Sequence, residues 1–153
     1  MRVQIRVDDL STTEVQELVA EHLAGMHSNS PPGHVNALAI ESLRRPDITF
    51  WTARIDGQLC ACGALKELDA AVGEVKSMRT RPAHLRQGVG QAILNEIVRT
   101  ARARGYTRLY LETGTGQAFE AAHAFYRGNE FTPCGAFGDY TATSFNVFMV
   151  KLL

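Results

Sequence analysis

The sequence predicts an α+β fold: a mixed, largely antiparallel sheet holding one parallel strand pair and flanked by helices. Three observations predict it. Asp56-Gly57 joins two alternating runs, Ile48 to Ile55 and Gln58 to Leu65, as the turn of an antiparallel hairpin. The run Gly73 to Thr80, the amphipathic stretch Gly88 to Arg104 and the run Thr107 to Thr113 read as strand, helix and strand, which demands a parallel pair joined by a right-handed crossover. The chain has 153 residues, 45% hydrophobic and 21% charged, which suits one globular domain spanning residues 1–153.

The elements follow in order. Met1 to Val7 alternates as a strand. Ser11 is expected to cap a helix from Thr12 to Ala24, with Glu14 closing a capping box, and Val15, Leu18, Val19 and Leu23 keep helical spacing. A turn-rich loop from His27 to His34 leads to a second helix near Val35–Leu43, ended by Arg45-Pro46-Asp47. After the hairpin, a turn at Asp69–Val72 enters the Gly73–Thr80 strand. The long helix carries Val89, Ile93, Ile97 and Val98 on one face and Arg99, Arg102 and Arg104 on the other, and Gly105 stops it. A glycine-rich loop after Thr113 precedes a helix from Ala118 to Arg127, then strands near Phe131–Phe137 and Ser144–Leu152. The last of these is expected at a sheet edge, apolar and without proline, and so offers a seam for a homodimer.

Composition excludes several classes. Sixteen basic residues balance sixteen acidic ones, so charge gives no case for nucleic-acid or membrane partners. No apolar run reaches the roughly 20 residues of a membrane span, and the first residues do not read as a signal peptide. Three cysteines, an odd number, fit reduced thiols in a cytoplasmic protein. Cys60-Ala61-Cys62 lies in an alternating run and is expected to put both thiols on one face of a strand as small hydrophobes. The five histidines show no ligand spacing, so no metal is expected.

The chemistry-bearing segment is Arg79 to Leu94. A strand runs into a short basic loop with Gly88 and Gly90, and a helix starts at once. A helix N-terminus presents free N–H groups backed by the helix dipole, which hold a phosphate or pyrophosphate. The glycines allow close approach and Arg86 adds fixed charge. A glycine-capped helix with no ligand is the plainer reading. The Gly-Lys-Ser/Thr of a P-loop is missing, and the third glycine of a dinucleotide fingerprint falls at Ile93.

Glu74-Val75-Lys76-Ser77-Met78-Arg79-Thr80, the Arg86–Gln91 loop, and Ala122 followed by Phe125-Tyr126 together resemble the GNAT superfamily of acyl-CoA-dependent N-acyltransferases, and the element order matches over essentially the whole chain. The segment Cys134-Gly135-Ala136-Phe137-Gly138-Asp139-Tyr140 is similar to the Pro-x-x-Phe-Gly-x-Tyr of small bacterial members. The resemblance implies acetyl-CoA as co-substrate. Arg86, Gln87, Gly88, Val89, Gly90 and Gln91 would hold its pyrophosphate, and Met78, Arg79 and Thr80 would offer backbone groups to the pantetheine arm, as a strand edge pairs with another strand. It also implies a bulge that parts the parallel strands into a cleft. The sequence departs from the family pattern at Leu85, Phe119 and Glu130, where glutamine or arginine, asparagine and glycine are usual.

The resemblance further implies an N-acetyltransferase in which Tyr126 protonates the departing thiolate, the Met78 amide meets the oxyanion, and Glu74 is the base. Period-two alternation puts Glu74 on one face with Lys76, Met78 and Thr80, and a nearby lysine makes a poorer base, so Glu112 on the neighbouring strand is the second candidate and water the third. Tyr126 also reads as a packed helix tyrosine, and both glutamates as ordinary surface groups. The acceptor, expected to be a small-molecule primary amine, would bind among residues 27–43, the 114–117 loop and residues 137–140, with His34, Trp51, Arg79 and Tyr140 as lining candidates. The alternatives are a non-catalytic CoA-binding or sensing module on the same fold and a protein or peptide N-acetyltransferase.

Overall fold

The computed structural model describes residues 2–153, so the first residue of the expected opening strand, Met1, lies outside the described residues. Seven strands form one sheet: β1 (Val3–Val7), β2 (Ile48–Ile55), β3 (Gln58–Asp69), β4 (Val72–Thr80), β5 (Arg108–Thr113), β6 (Thr132–Cys134) and β7 (Val147–Leu152). Their spatial order is β1-β2-β3-β4-β5-β7-β6, and among the described residues only β4 and β5 pair in parallel. The α-helices among the described residues are α1 (Thr13–Ser28), α2 (Ile40–Leu43), α3 (Val89–Ala103) and α4 (Glu120–Gly128). The α+β reading, the hairpin and the parallel crossover all hold.

Alternation along the central strands builds a core on each face. Trp51, Ala53, Ile55, Leu65, Val75, Leu109 and Leu111 pack with Ile93, Leu94 and Ile97 of α3. Phe50, Leu59, Cys62 and Ala64 pack with Val15, Leu18 and Val19 of α1 and Leu43 of α2. Gly63 lets α3 close on the sheet: a Cβ there would stand 2.5 Å from Ile93 Cγ2 and 2.6 Å from Met78 Sδ.

Several expectations change. Thr12, not Ser11, caps α1, its hydroxyl accepting from Val15 N at 3.3 Å. The third helical position is therefore Val15, and Glu14 instead pairs with Arg54 at 2.6 Å, so no capping box forms. The expected helix over 35–43 is reduced to Ile40–Leu43, with the residues before it in extended or irregular chain. Expected helix 118–127 begins with a single 3-10 turn, Gln117–Phe119, before α4. Strand Phe131–Phe137 shrinks to Thr132–Cys134, and the segment after it becomes a loop.

The cysteine pair does not share a face. Ala53 pairs with Ala61 but Arg54 pairs with Leu59, leaving Cys60 as an extra residue in a bulge. Cys60 accordingly packs in the α3 core and Cys62 in the α1 core. The supposed edge strand is also internal: β7 lies between β5 and β6, and the edge on that side is the three-residue β6 carrying Pro133. The dimer seam read from Ser144–Leu152 is thereby withdrawn, because its backbone groups are already paired. Among the described residues no helix is long and apolar enough to cross a membrane.

Candidate functional site

The site begins where β4 and β5 separate. Their parallel pairing covers Val72, Gly73 and Glu74 against Arg108, Leu109 and Tyr110, and goes no further although both strands continue. Against β3, Lys76 pairs with Ala64 and Arg79 with Cys62, so Ser77 and Met78 together oppose Gly63. Ser77 sits at φ 55°, a left-handed conformation that a serine adopts only when the surroundings fix it. This bulge bends β4 away and opens a cleft between the two strands.

The bulge also reverses the faces of β4. Glu74 and Lys76 point away from Val75 and the α3 core, whereas Met78 packs into that core and Thr80 lies 3.3 Å from the Cβ position of Gly90 in α3. The expectation that Glu74, Lys76, Met78 and Thr80 share one face is corrected: alternation holds only up to Ser77.

On the α3 side of the cleft, the chain leaves β4 through a 3-10 turn, Pro82–His84, and reaches Arg86 at φ 62° and Gly88 at φ 77°. Gly88 caps α3 with no side-chain hydrogen bond, and the first intrahelical bond runs from Ala92 N to Gly88 O at 3.0 Å. The amides of Val89, Gly90 and Gln91 thus have no partner within the helix, as at any helix start. They face a groove lined by Met78, Arg79, Thr80, Arg86, Gly88, Val89, Gly90 and Gln91 together with Ala122, Phe125 and Tyr126. Of the nine residues assigned to the carrier from sequence, only Gln87 does not line it. Leu85 lines it as an exposed apolar side chain. The Gln91 side chain turns elsewhere, donating to Asn129 Oδ1 at 2.7 Å and tying α3 to the end of α4.

Across the cleft lies a smaller pocket that contains Glu74, Lys76, Glu112, Tyr126, His22 and Asn36. Met78, Ala122 and Tyr126 line both cavities, so groove and pocket meet at Tyr126. Tyr126 is buried between Phe125 and Phe131, with ring centroids 5.2 Å and 5.5 Å away. Burial pushes its phenol well above the ordinary tyrosine range, so it keeps its proton.

The two glutamates differ in their partners. Glu74, 2% exposed, accepts from Lys76 Nζ at 3.1 Å and from the Tyr140 hydroxyl at 2.6 Å, and Lys76 also donates to the Tyr140 oxygen at 2.8 Å. It belongs to a buried cluster, where the sequence offered only a surface pair as the plain reading. Glu112 accepts on Oε2 from Asn36 Nδ2 at 3.1 Å and from Asn146 Nδ2 at 2.7 Å. Burial raises its carboxyl above the usual range, opposed by the hydrogen bonds from Asn146 and Asn36 and by Lys76.

Loops bring these partners in. The segment after β6 folds over the sheet through aromatic contacts: Phe137 stacks on Tyr110 at 4.7 Å and meets Phe148 edge-on at 5.7 Å, which sets Tyr140 above Glu74. Phe119 is buried edge-on against Phe145 at 5.7 Å, over Gly114, where a Cβ would collide with the Phe145 ring. The aromatic that departs from the family pattern is therefore part of the packing that shapes this wall. Sequence reasoning missed Asn36, Asn146 and His22, because nothing local marks an asparagine whose partner is 76 or 34 positions away.

The acceptor-lining candidates divide. Tyr140 and His34 line an outer recess beside Asn36, and His34 meets Phe145 edge-on at 5.7 Å. Trp51 does not line it: 3% exposed, it is core on the α3 face. Arg79 turns its guanidinium onto Gly25 of α1, where a Cβ would lie 3.0 Å from Nη1. Among the described residues no group of histidines, cysteines and carboxylates is arranged to hold a metal ion.

The sequence profile described as the Acetyltransferase (GNAT) family matches residues 14–131. The uncharacterized N-acetyltransferase YsnE of Bacillus subtilis (strain 168) is 48% identical over 151 residues, covering 99% of this chain and 100% of that protein. A Klebsiella pneumoniae protein assigned as an acyl-CoA N-acyltransferase shares the fold with a TM-score of 0.81 at 27% identity, covering 99% of this chain and 97% of its own. The PaiA N-acetyltransferase of Thermoplasma acidophilum, solved in complex with coenzyme A, superposes with a TM-score of 0.71 at 19% identity over 100% of both chains, a likeness of fold.

Proposed function

The chain belongs to the Acetyltransferase (GNAT) family, and on that premise we propose that it moves an acetyl group from acetyl-CoA to a primary amine of a small molecule by direct attack in a ternary complex, with residues 1–153 acting as one catalytic domain. The observation that carries this reading is the continuity of groove and pocket through Tyr126. A carrier anchored by its diphosphate at the α3 N-terminus would run its arm along β4 and deliver its thioester into the pocket that holds Glu112.

The residues fit that carrier. The unpartnered amides of Val89, Gly90 and Gln91, with Arg86 beside them, suit a diphosphate. The exposed β4 edge past Glu74 suits the amides of a pantetheine arm. The nine residues read from sequence, Gln87 included, stay in this assignment as the loop and strand that form the cradle.

In the reaction, Glu112 takes one proton from the acceptor ammonium and frees the nitrogen lone pair, which forms the C–N bond at the thioester carbonyl. The Met78 amide is the donor assigned to the oxygen that gains charge. When the carbonyl re-forms, the C–S bond breaks, Tyr126 gives its proton to the thiolate sulfur, and a second nitrogen proton restores the phenol. Tyr126 suits this role because burial keeps it protonated. Glu112 suits the base role better than Glu74: Glu74 is held by a buried ammonium and a phenol, whereas burial raises Glu112 toward the working pH of a base.

Incubation with acetyl-CoA and a panel of primary amines should release free CoA thiol, and calorimetry should register CoA binding. No thiol release together with no heat from CoA would defeat this reading.

A further inference from the structure

The ionisable groups that line the acceptor pocket are His22, Glu74, Lys76, Glu112 and the Tyr126 phenol. Their charges do not balance. Lys76 gives two of its three N–H donors to Glu74 at 3.1 Å and to Tyr140 at 2.8 Å, and Tyr140 closes the ring by donating to Glu74 at 2.6 Å. That cluster is neutral in itself, with its only cation 8% exposed at the side chain. His22 is buried and neutral. Arg79, the next cation along the strand, lies past the bulge against Gly25 and does not line the pocket. Glu112 is left as the one carboxylate with no cation of its own.

Glu112 is also aimed. Asn36 from the loop after α1 and Asn146 from the loop before β7 both donate to Oε2, at 3.1 Å and 2.7 Å. Two amide clamps on one oxygen fix the carboxylate plane and leave Oε1 as the acceptor for an incoming group. The lining thus carries two carboxylates against one ammonium. The polar atoms left without partners there, the Ser77 hydroxyl and His22 Nδ1, belong to uncharged groups, so the pocket offers a point of binding for a cation and no cation for an anion beside it.

Resting on the acetyl-transfer reading, we propose that the acceptor is a monocationic amine with no carboxylate on the carbon that bears the nitrogen, taken up as its ammonium on Glu112 and held in register by Asn36 and Asn146. An α-amino acid would bring a carboxylate against Glu112 and Glu74, whose only neighbouring ammonium is already engaged. Like charges at that range in a partly buried site cost affinity directly.

Matched pairs differing only in the carboxylate test this: phenethylamine with phenylalanine, tyramine with tyrosine, tryptamine with tryptophan. For wild-type protein the amine of at least one pair should exceed its amino acid by on the order of 30-fold or more in kcat/KM. Calorimetric titration of the same compounds into the CoA-loaded protein should give the same ranking, and Glu112→Gln should shrink the gap in affinity towards unity. Asn146→Ala should raise KM for the amine more than it lowers kcat, and Asn146→Gln should restore part of it. Amino acids equal to or better than their amines would overturn the class while leaving acetyl transfer standing. If no pair member is bound or acetylated while CoA still binds, the assignment of this pocket falls alone, and if CoA fails to bind, the reading beneath it falls too.

Discussion

The Tyr140 hydroxyl donates to Glu74 Oε2 at 2.6 Å, joining a residue of the loop after β6 to a strand residue 66 positions earlier. Lys76 bonds both partners, and its ammonium stands 5.5 Å from the Tyr140 ring centroid. A buried ion pair that also satisfies a phenol is costly to break, since removing one member leaves the others underbonded. Burial and the neighbouring Glu74 charge push the Tyr140 phenol far above its ordinary range, so it remains a donor throughout the working pH range.

Tyr140→Phe should therefore act on stability first. It removes a hydrogen bond to a charged group, worth about 1.5–3 kcal/mol, while keeping the ring that packs on Phe137 and Phe148. Urea unfolding should show a lower midpoint at unchanged slope, and an unchanged midpoint would remove the ring of bonds from the energetic account.

Glu112 and Glu74 separate by substitution. With Glu112 as base, Glu112→Gln should lower kcat/KM by about 10²–10⁴, the contribution of a positioned proton acceptor. The carboxyl must be ionised to act, and burial raises it, so wild-type activity should fall as pH drops through a value above the ordinary ~4.3 of a glutamate. Asn146→Ala removes a hydrogen bond that favours the ionised form and should move that acid limb to still higher pH. A pH profile of kcat/KM for the three proteins checks this. An acid limb that vanishes in Glu74→Gln but persists in Glu112→Gln would return the base to Glu74.

Tyr126→Phe should lower kcat by on the order of 10² or more with CoA affinity within about twofold, because the hydroxyl acts on the leaving sulfur and the α3 amides are untouched. Stopped assays of thiol release with parallel calorimetry separate the two. Loss of CoA affinity in step with kcat would make Tyr126 a binding residue.

Much of this was legible in the chain because it is local. The Asp56-Gly57 turn, the crossover through α3 and the αL glycine at position 88 are each written in a few consecutive residues, and eight of the nine carrier residues read that way line one groove. What the chain hid is what depends on one extra residue or on distant partners. Period-two alternation assigns faces correctly until a bulge inserts a residue, and bulges at Cys60 and at Ser77-Met78 defeated it twice. No local pattern indicates that Tyr140 would reach Glu74, or that Asn36 and Asn146 would meet on Glu112. Residues 35–39 carry apolar spacing that suggests a helix, but Asn36 donates to Glu112 and Leu38 packs with the α1 core, so tertiary contacts hold this stretch outside α2.

His22 supplies a prediction about stability and pH. It sits 8% exposed on α1, its Nδ1 has no hydrogen-bond partner among the described residues, and burial, assisted by the Arg79 charge, pushes it down to about 4 from 6.5. Between those two values the unfolded chain binds a proton there and the folded chain does not, so stability rises with pH across the interval. The contribution is complete above about 6.5 and is lost as pH falls towards 4, amounting to about 3 kcal/mol at 1.36 kcal/mol per unit. Denaturant midpoints measured from pH 7.5 to 4 should fall accordingly in the wild type. In His22→Leu the slope over that interval should flatten, since leucine binds no proton in either state. An identical slope in both proteins would mean that His22 already gains its proton in the folded state, and that the contact between α1 and β4 accommodates two cations side by side.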